Sequence, residues 1–104
     1  MNMQQIMRQA QKMQKKMEEA QEEAAAQVVE ASAGGGMVTV KVNGRQELLS
    51  ISIEKDVVNP DDIDMLQDLI VAAVNEGMKK AQNVMQEKLS SITGGLGLNL
   101  PGMF

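Results

Sequence analysis

Residues 2–27 contain neither Gly nor Pro and consist mostly of Met, Gln, Lys, Glu and Ala. These are strong helix formers. Apolar residues recur there at Met3, Ile6, Ala10, Met13, Met17, Ala20 and Ala24. The intervals alternate three and four, the a/d seam of a coiled coil. Almost every residue between these positions is polar. A helix over this span is about 38 Å long at 1.5 Å per residue. Ala at several seam positions lets another helix approach closely but buries little area. A chain that opens in this way must supply or recruit a partner for its first helix.

The next segment changes character. Val28-Val29-Glu30-Ala31-Ser32-Ala33 reads as a short strand, and Gly34-Gly35-Gly36 as a turn. Met37 to Val42 alternates apolar and polar residues with period two. Asn43-Gly44 is the favoured pair for a two-residue type I′ hairpin turn. A further strand, Arg45 to about Glu54, alternates at Leu49, Ile51 and Ile53. A two-residue loop sets Val42 opposite Arg45, Val40 opposite Glu47 and Val38 opposite Leu49. The valines then share one face with Leu49, Ile51 and Ile53. A three-residue loop would bring Ser50 and Ser52 to that face, so the pattern selects the shorter turn.

Asn59-Pro60-Asp61-Asp62 reads as a helix start, with an Asn cap, Pro in the first turn and acids near the positive end of the dipole. The helix is expected to run to about Ile92 and to stop at Gly94-Gly95. Its apolar face is broad at Ile63, Leu66, Leu69, Ile70, Ala73 and Val74. It narrows to Met78, Ala81, Met85, Leu89 and Ile92. A wide face suits burial against sheet and helix together, a narrow one a projecting arm. Gly77 in mid-helix costs about 1 kcal/mol against Ala and implies close packing there. Residues 1–93 are expected to form one domain, and 94–104 a mobile Gly/Leu/Asn/Pro tail.

The 104 residues include no Cys, no His, no Trp, no Tyr and one Phe, Phe104. Thiolate chemistry, disulfides and Cys/His zinc sites are thereby excluded. A His general base is excluded too, and no pair of carboxylates has a reason to be catalytic. The aromatic platforms that stack single strands are absent. A core built only from Leu, Ile, Val, Met and Ala is thin for a lone chain of this size, which points to a dimer. The start of the chain carries no apolar signal-peptide region, being rich in Gln, Lys and Glu, and the longest apolar runs fall far short of a spanning helix. The expectation is a soluble, cytoplasmic protein that is not an enzyme and holds no cofactor or metal.

The formal net charge of −4 hides strong segregation. Residues 1–17 carry Arg8, Lys12, Lys15 and Lys16 and no acid, giving +4. Residues 18–30 carry Glu18, Glu19, Glu22, Glu23 and Glu30, giving −5. Residues 59–76 carry Asp61, Asp62, Asp64, Asp68 and Glu76, again −5. Residues 77–104 carry Lys79, Lys80 and Lys88 against Glu87, giving +2. If the two helices pair antiparallel, the first and last segments form a +6 tip remote from an acidic body. Arg8, Lys12 and Lys15 or Lys16 share one helix face, off the Met seam. Phosphate contact along a duplex is one reading of that face. A solvated coiled-coil face, with Lys stems covering the seam, is the better one from pattern alone.

Other constellations point to structure. Gly34-Gly35-Gly36 lacks a following Gly-Lys-Ser/Thr and precedes a strand, so it is a turn and not a phosphate loop. Asp61, Asp62 and Asp64 lack EF-hand spacing and suit helix capping. The Met3, Met7, Met13 and Met17 stripe suits helix packing better than soft-metal binding.

Several stretches together resemble the YbaB/EbfC family of bacterial nucleoid-associated proteins over nearly the whole chain. They are the Met/Gln/Lys-rich first helix, Gly34-Gly35-Gly36-Met37-Val38-Thr39-Val40, Asn43-Gly44, and Met65-Leu66-Gln67-Asp68-Leu69-Ile70-Val71-Ala72-Ala73-Val74-Asn75-Glu76-Gly77. The Gly94-Gly95 and Pro101-Gly102-Met103-Phe104 ending is similar as well. Gly77 departs from the family pattern, which commonly has Ala there. The resemblance implies an α+β fold, in which each protomer runs helix, three-stranded antiparallel sheet, long helix. It further implies a tweezer-like homodimer with projecting helical arms that binds double-stranded DNA at the nucleoid and influences gene expression. On that resemblance the DNA contacts map to Arg8, Lys12, Lys15 and Lys16, with Lys79, Lys80 and Lys88 beside them. The rival reading is a coiled-coil adaptor or holdase that takes protein clients on its Met-rich arms.

Overall fold

The computed structural model describes residues 2–95. The elements are α1 (Met3–Ala26), β1 (Val28–Ala33), β2 (Val38–Asn43), β3 (Leu48–Ile53), a 3-10 turn (Lys55–Val57) and α2 (Ile63–Gly95). The strands form one antiparallel sheet in the order β1-β2-β3. This is the helix, three-stranded sheet, long helix order expected. The expectation of a tail over residues 94–104 falls mainly outside the described residues.

Each helix start has its own cap. Asn2 Oδ1 accepts the Gln5 backbone N–H at 2.8 Å and so closes the first turn of α1. No glycine ends α1. Gln27 turns extended, and the β-branched pair Val28-Val29 continues as a strand. The start of α2 corrects the sequence expectation. Asn59 Oδ1 accepts the Asp61 N–H at 3.0 Å, and the Asp62 N–H donates to the Asn59 carbonyl at 2.9 Å. Asn59 therefore organises a turn through Pro60. Asp62 is the cap, its Oδ1 accepting the Met65 N–H at 3.2 Å, so the helix begins at Ile63.

The turn between β1 and β2 places Gly34, Gly35 and Gly36 in succession at φ 64°, 68° and 95°. Only glycine holds three left-handed positions in a row without steric cost. A Cβ at Gly35 would meet open space, so the Gly35→Ala variant isolates the backbone term. It is expected to lose about 1–2 kcal/mol of stability in urea unfolding, with an unchanged m-value.

The β2–β3 connection is a second correction. The Asn43 N–H donates to Glu47 O at 3.0 Å, the Gln46 N–H donates to Asn43 O at 3.0 Å, and Gln46 has φ 61°. This is a three-residue loop with its left-handed residue at Gln46. Asn43 does not sit at the turn's crown. It is buried, its Oδ1 accepts the N–H groups of Arg45 and Glu47, and its Nδ2 donates to Glu47 Oε1 at 2.9 Å. The serines nevertheless stay off the valine face. The register shifts between Val42↔Leu48 and Lys41↔Ser50, so Leu49 is an extra residue in β3. Beyond that bulge Val40 pairs with Ile51 and Val38 with Ile53. The apolar face expected for Ile51 and Ile53 is kept, and the partners expected for each valine are not.

The helix α2 lies on that face. Val38, Val40 and Val42 are fully buried beneath it with Ala31, Ala73 and Ala81, and Leu66, Leu69, Ile70, Val74 and Met78 pack against them. Gly77 sets the closeness, since a Cβ there would lie 2.9 Å from Val42 Cγ2 and 3.0 Å from Val40 Cγ2. Leu69 lies at the Gly34 turn and Val84 at Gly44, so α2 runs the length of the sheet beside β2. It then continues unbroken past the sheet and joins α1.

Candidate nucleic-acid interface

The two helices meet antiparallel beyond the sheet. Their junction is Gly44, whose N–H donates to Ala24 O at 2.8 Å and to Gln27 O at 3.0 Å. A Cβ on Gly44 would stand 2.6 Å from Ala24 O, 2.8 Å from Val84 Cγ1 and 2.9 Å from Ala24 Cβ. Gln46 Nε2 reaches Met78 O at 3.3 Å, so the β2–β3 loop ties to both helices. Further out, Lys88 Nζ meets Glu23 Oε2 at 3.3 Å. Lys16, Glu19, Ser91 and Ile92 line a shared open groove. The Lys88–Glu23 pair is solvated and contributes little to stability.

This arrangement sorts the candidate residues into three places. Arg8, Lys12, Lys15 and Lys16 are exposed on the outer half of α1, most of it beyond the last turn of α2. Lys88 sits on the inner part of the arm, paired to Glu23. Lys79 and Lys80 sit level with the sheet, between Gly77 and Val84. Lys80 Nζ donates to the Glu30 carbonyl of β1 at 2.8 Å. The expected +6 tip is thus corrected. The tip carries the four cations of α1, a charge of +4, and the other basic residues belong to the body and the arm's base. Asp61, Asp62, Asp64, Asp68 and Glu76 lie on the sheet portion of the molecule, at the opposite end from the tip.

On α1, turning by roughly 100° per residue, the basic stripe and the apolar seam point on the order of 160° apart. The basic face is therefore free of the apolar one. It presents four long cationic side chains, with Gln4, Gln5 and Gln11 among and beside them, and the cations suit phosphate oxygens. The sequence reading missed Gly44 and Gln46 as the residues that fix the arm. Asn43-Gly44 signalled a turn, and nothing local shows that the turn packs on the far end of α1, at Ala24.

Residues 1–96 match the YbaB/EbfC DNA-binding family. The chain belongs to that family. It is 55% identical over 101 residues to a nucleoid-associated protein of Syntrophobacter fumaroxidans, covering 94% of this chain and 92% of the relative. It is 52% identical over 103 residues to a nucleoid-associated protein of Alkaliphilus metalliredigens, covering 99% and 89%. Its fold is similar to the crystal structure of the uncharacterized protein HP0035 from Helicobacter pylori. That likeness has a TM-score of 0.80 at 24% sequence identity and covers 88% of this chain and 97% of the other. No helix among the described residues is long and apolar enough to cross a membrane.

Proposed function

We propose that this protein is a nucleoid-associated, non-enzymatic, cytoplasmic protein that binds double-stranded DNA through the arm tips of a homodimer. One observation carries the assignment of the surface. Met1 to Met17 holds four cations and no acid, and the acids lie on the inner arm, from Glu18 to Glu23, and on the body. The tip attracts phosphate, and the body repels it and so orients the approach. Membership of a DNA-binding family makes the duplex the ligand in preference to protein clients.

The dimer rests on β3. This edge strand is exposed along its whole length, with Leu48, Leu49, Ile51 and Ile53 at 39–52% accessibility. Ile51 and Ile53 continue the buried valine face beyond the cover of α2. An apolar edge of this kind is a template for pairing unless something covers it, and a second copy presents the same complement. Two protomers joined there carry two basic tips.

Lys and Arg on a helix face read the backbone, so selectivity among duplex sequences is modest. Gel-shift titrations over salt, on duplexes of unrelated sequence, test this reading. Affinity falls steeply with salt, with a log–log slope of about −0.9 for each phosphate neutralised, and differs little between sequences. A protein that binds no duplex even at low salt, or whose affinity ignores salt, refutes it.

A further inference from the structure

The face of α1 opposite the cations is apolar and largely uncovered. Ala20 and Ala24 are buried where α2 joins, but Met3 is 73% exposed, Ile6 49%, Met7 56% and Met17 40%. The seam that packs α2 at its inner end thus continues outward, half-buried at Met13 and exposed at Met3, Ile6 and Met17. Its three-and-four spacing fits a helix, and not a strand or a flat surface. We propose that this outer seam, Met3 to Met17, receives the same seam of a second copy, so that two molecules join tip to tip through antiparallel α1 helices.

Three observations favour a second copy as the occupant. The seam is continuous with one that already packs a helix. The positions that flank it in the outer half are Met7, Gln9, Gln14 and Lys16. Flanking charges normally select an oppositely charged partner, and the one charge here, Lys16, lies beside the partner's uncharged Gln9 in antiparallel register. Finally Arg8, Lys12 and Lys15 point away from the seam, so pairing two tips brings no block of like charges into contact. In antiparallel register Ala10 faces the partner's Met13, small against large, and Ile6 faces the partner's Met17. Such a pair turns its two basic faces outward. If the tips bind DNA as proposed above, one joint holds two duplexes.

Association is read without DNA, so its failure is separate from failure of the DNA reading. Sedimentation of the full chain over a wide concentration range is expected to show reversible growth beyond the β3 dimer. The variant Ile6→Gln/Met13→Gln is neutral in charge and confined to exposed or half-buried positions. It should weaken that growth at least about tenfold, and Val71→Gln, an exposed change elsewhere, should not. Because the chain lacks Cys, a mixture of Ala10→Cys and Met13→Cys proteins should form a mixed disulfide on oxidation. Absence of growth, growth indifferent to Ile6→Gln/Met13→Gln, or absence of the mixed disulfide overturns the proposal. So does a variant that loses duplex affinity with association intact, which would mean that the seam meets DNA. With association shown, capture of a labelled duplex by a bead-bound one should need Ile6 and Met13.

Discussion

Reversing Lys12, Lys15 and Lys16 to Glu is expected to abolish duplex binding at moderate salt. The change takes the stretch from Met1 to Met17 from +4 to −2, because only Arg8 remains against three acids. Each neutralised phosphate contributes about 0.9 to the salt slope, so losing three per arm flattens it by about 2.7 per arm. The loss of affinity should be largest at low salt, where counterion release makes each lost phosphate contact count most. Unfolding cannot account for the loss. The three lysines are exposed, and among the described residues they make no hydrogen bond or ion pair that holds the fold. Glu is about as strong a helix former as Lys, so α1 should keep its helicity in circular dichroism. If binding and slope survive the triple reversal, the phosphate contacts lie elsewhere, and Lys79, Lys80 and Lys88 become the residues to test.

The second large effect is expected at Gly44. Its φ is not left-handed, so Gly44→Ala carries no backbone strain and tests packing alone. The new methyl would stand 2.6 Å from Ala24 O, a backbone atom that cannot rotate away. Relief requires α1 to move outward, which lengthens both hydrogen bonds from the Gly44 N–H to Ala24 O and Gln27 O. Overpacking of this kind costs about 3 kcal/mol. For a chain of this size that lowers Tm by more than about 10 °C. The loss should exceed that of Gly35→Ala, where only the backbone objects. Equal losses at the two glycines would show that the helix junction yields easily and does not hold the arm.

The contrast between these glycines marks where sequence reasoning stops. Period-two alternation at Val38, Val40 and Val42 and at Ile51 and Ile53 shows which residues share a face. Parity survives a slip of two or four residues, however, so the same pattern cannot give the partners. The bulge at Leu49 was illegible because it restores parity after a loop that should have broken it. Asn43-Gly44 looked like a hairpin crown because the type I′ turn needs those residues. Here Asn43 is consumed by the Arg45 and Glu47 amides and Gly44 by the end of α1. At Asn59 two candidate caps lie three residues apart, and Pro60 suits the turn that Asn59 makes as well as it suits a helix start. The charge segregation of α1 was fully legible, since it depends only on chain order. The places of Lys79 and Lys80 were not, because the apolar face of α2 narrows without a break and nothing marks the residue at which the helix leaves the sheet.

That unbroken passage has a mechanical consequence. One helix is both the lid of the sheet and a rail of the arm, and residues 78–93 contain no Gly or Pro at which it could fold. The β2–β3 loop pins the other rail to it at Gly44 and Gln46. In the homodimer proposed above, two such arms form a caliper without a pivot, and its jaws are set when the chain folds. Whatever the two tips of that dimer grasp must conform to their spacing, and the backbone that carries the cations is ordered at folding and not at each encounter.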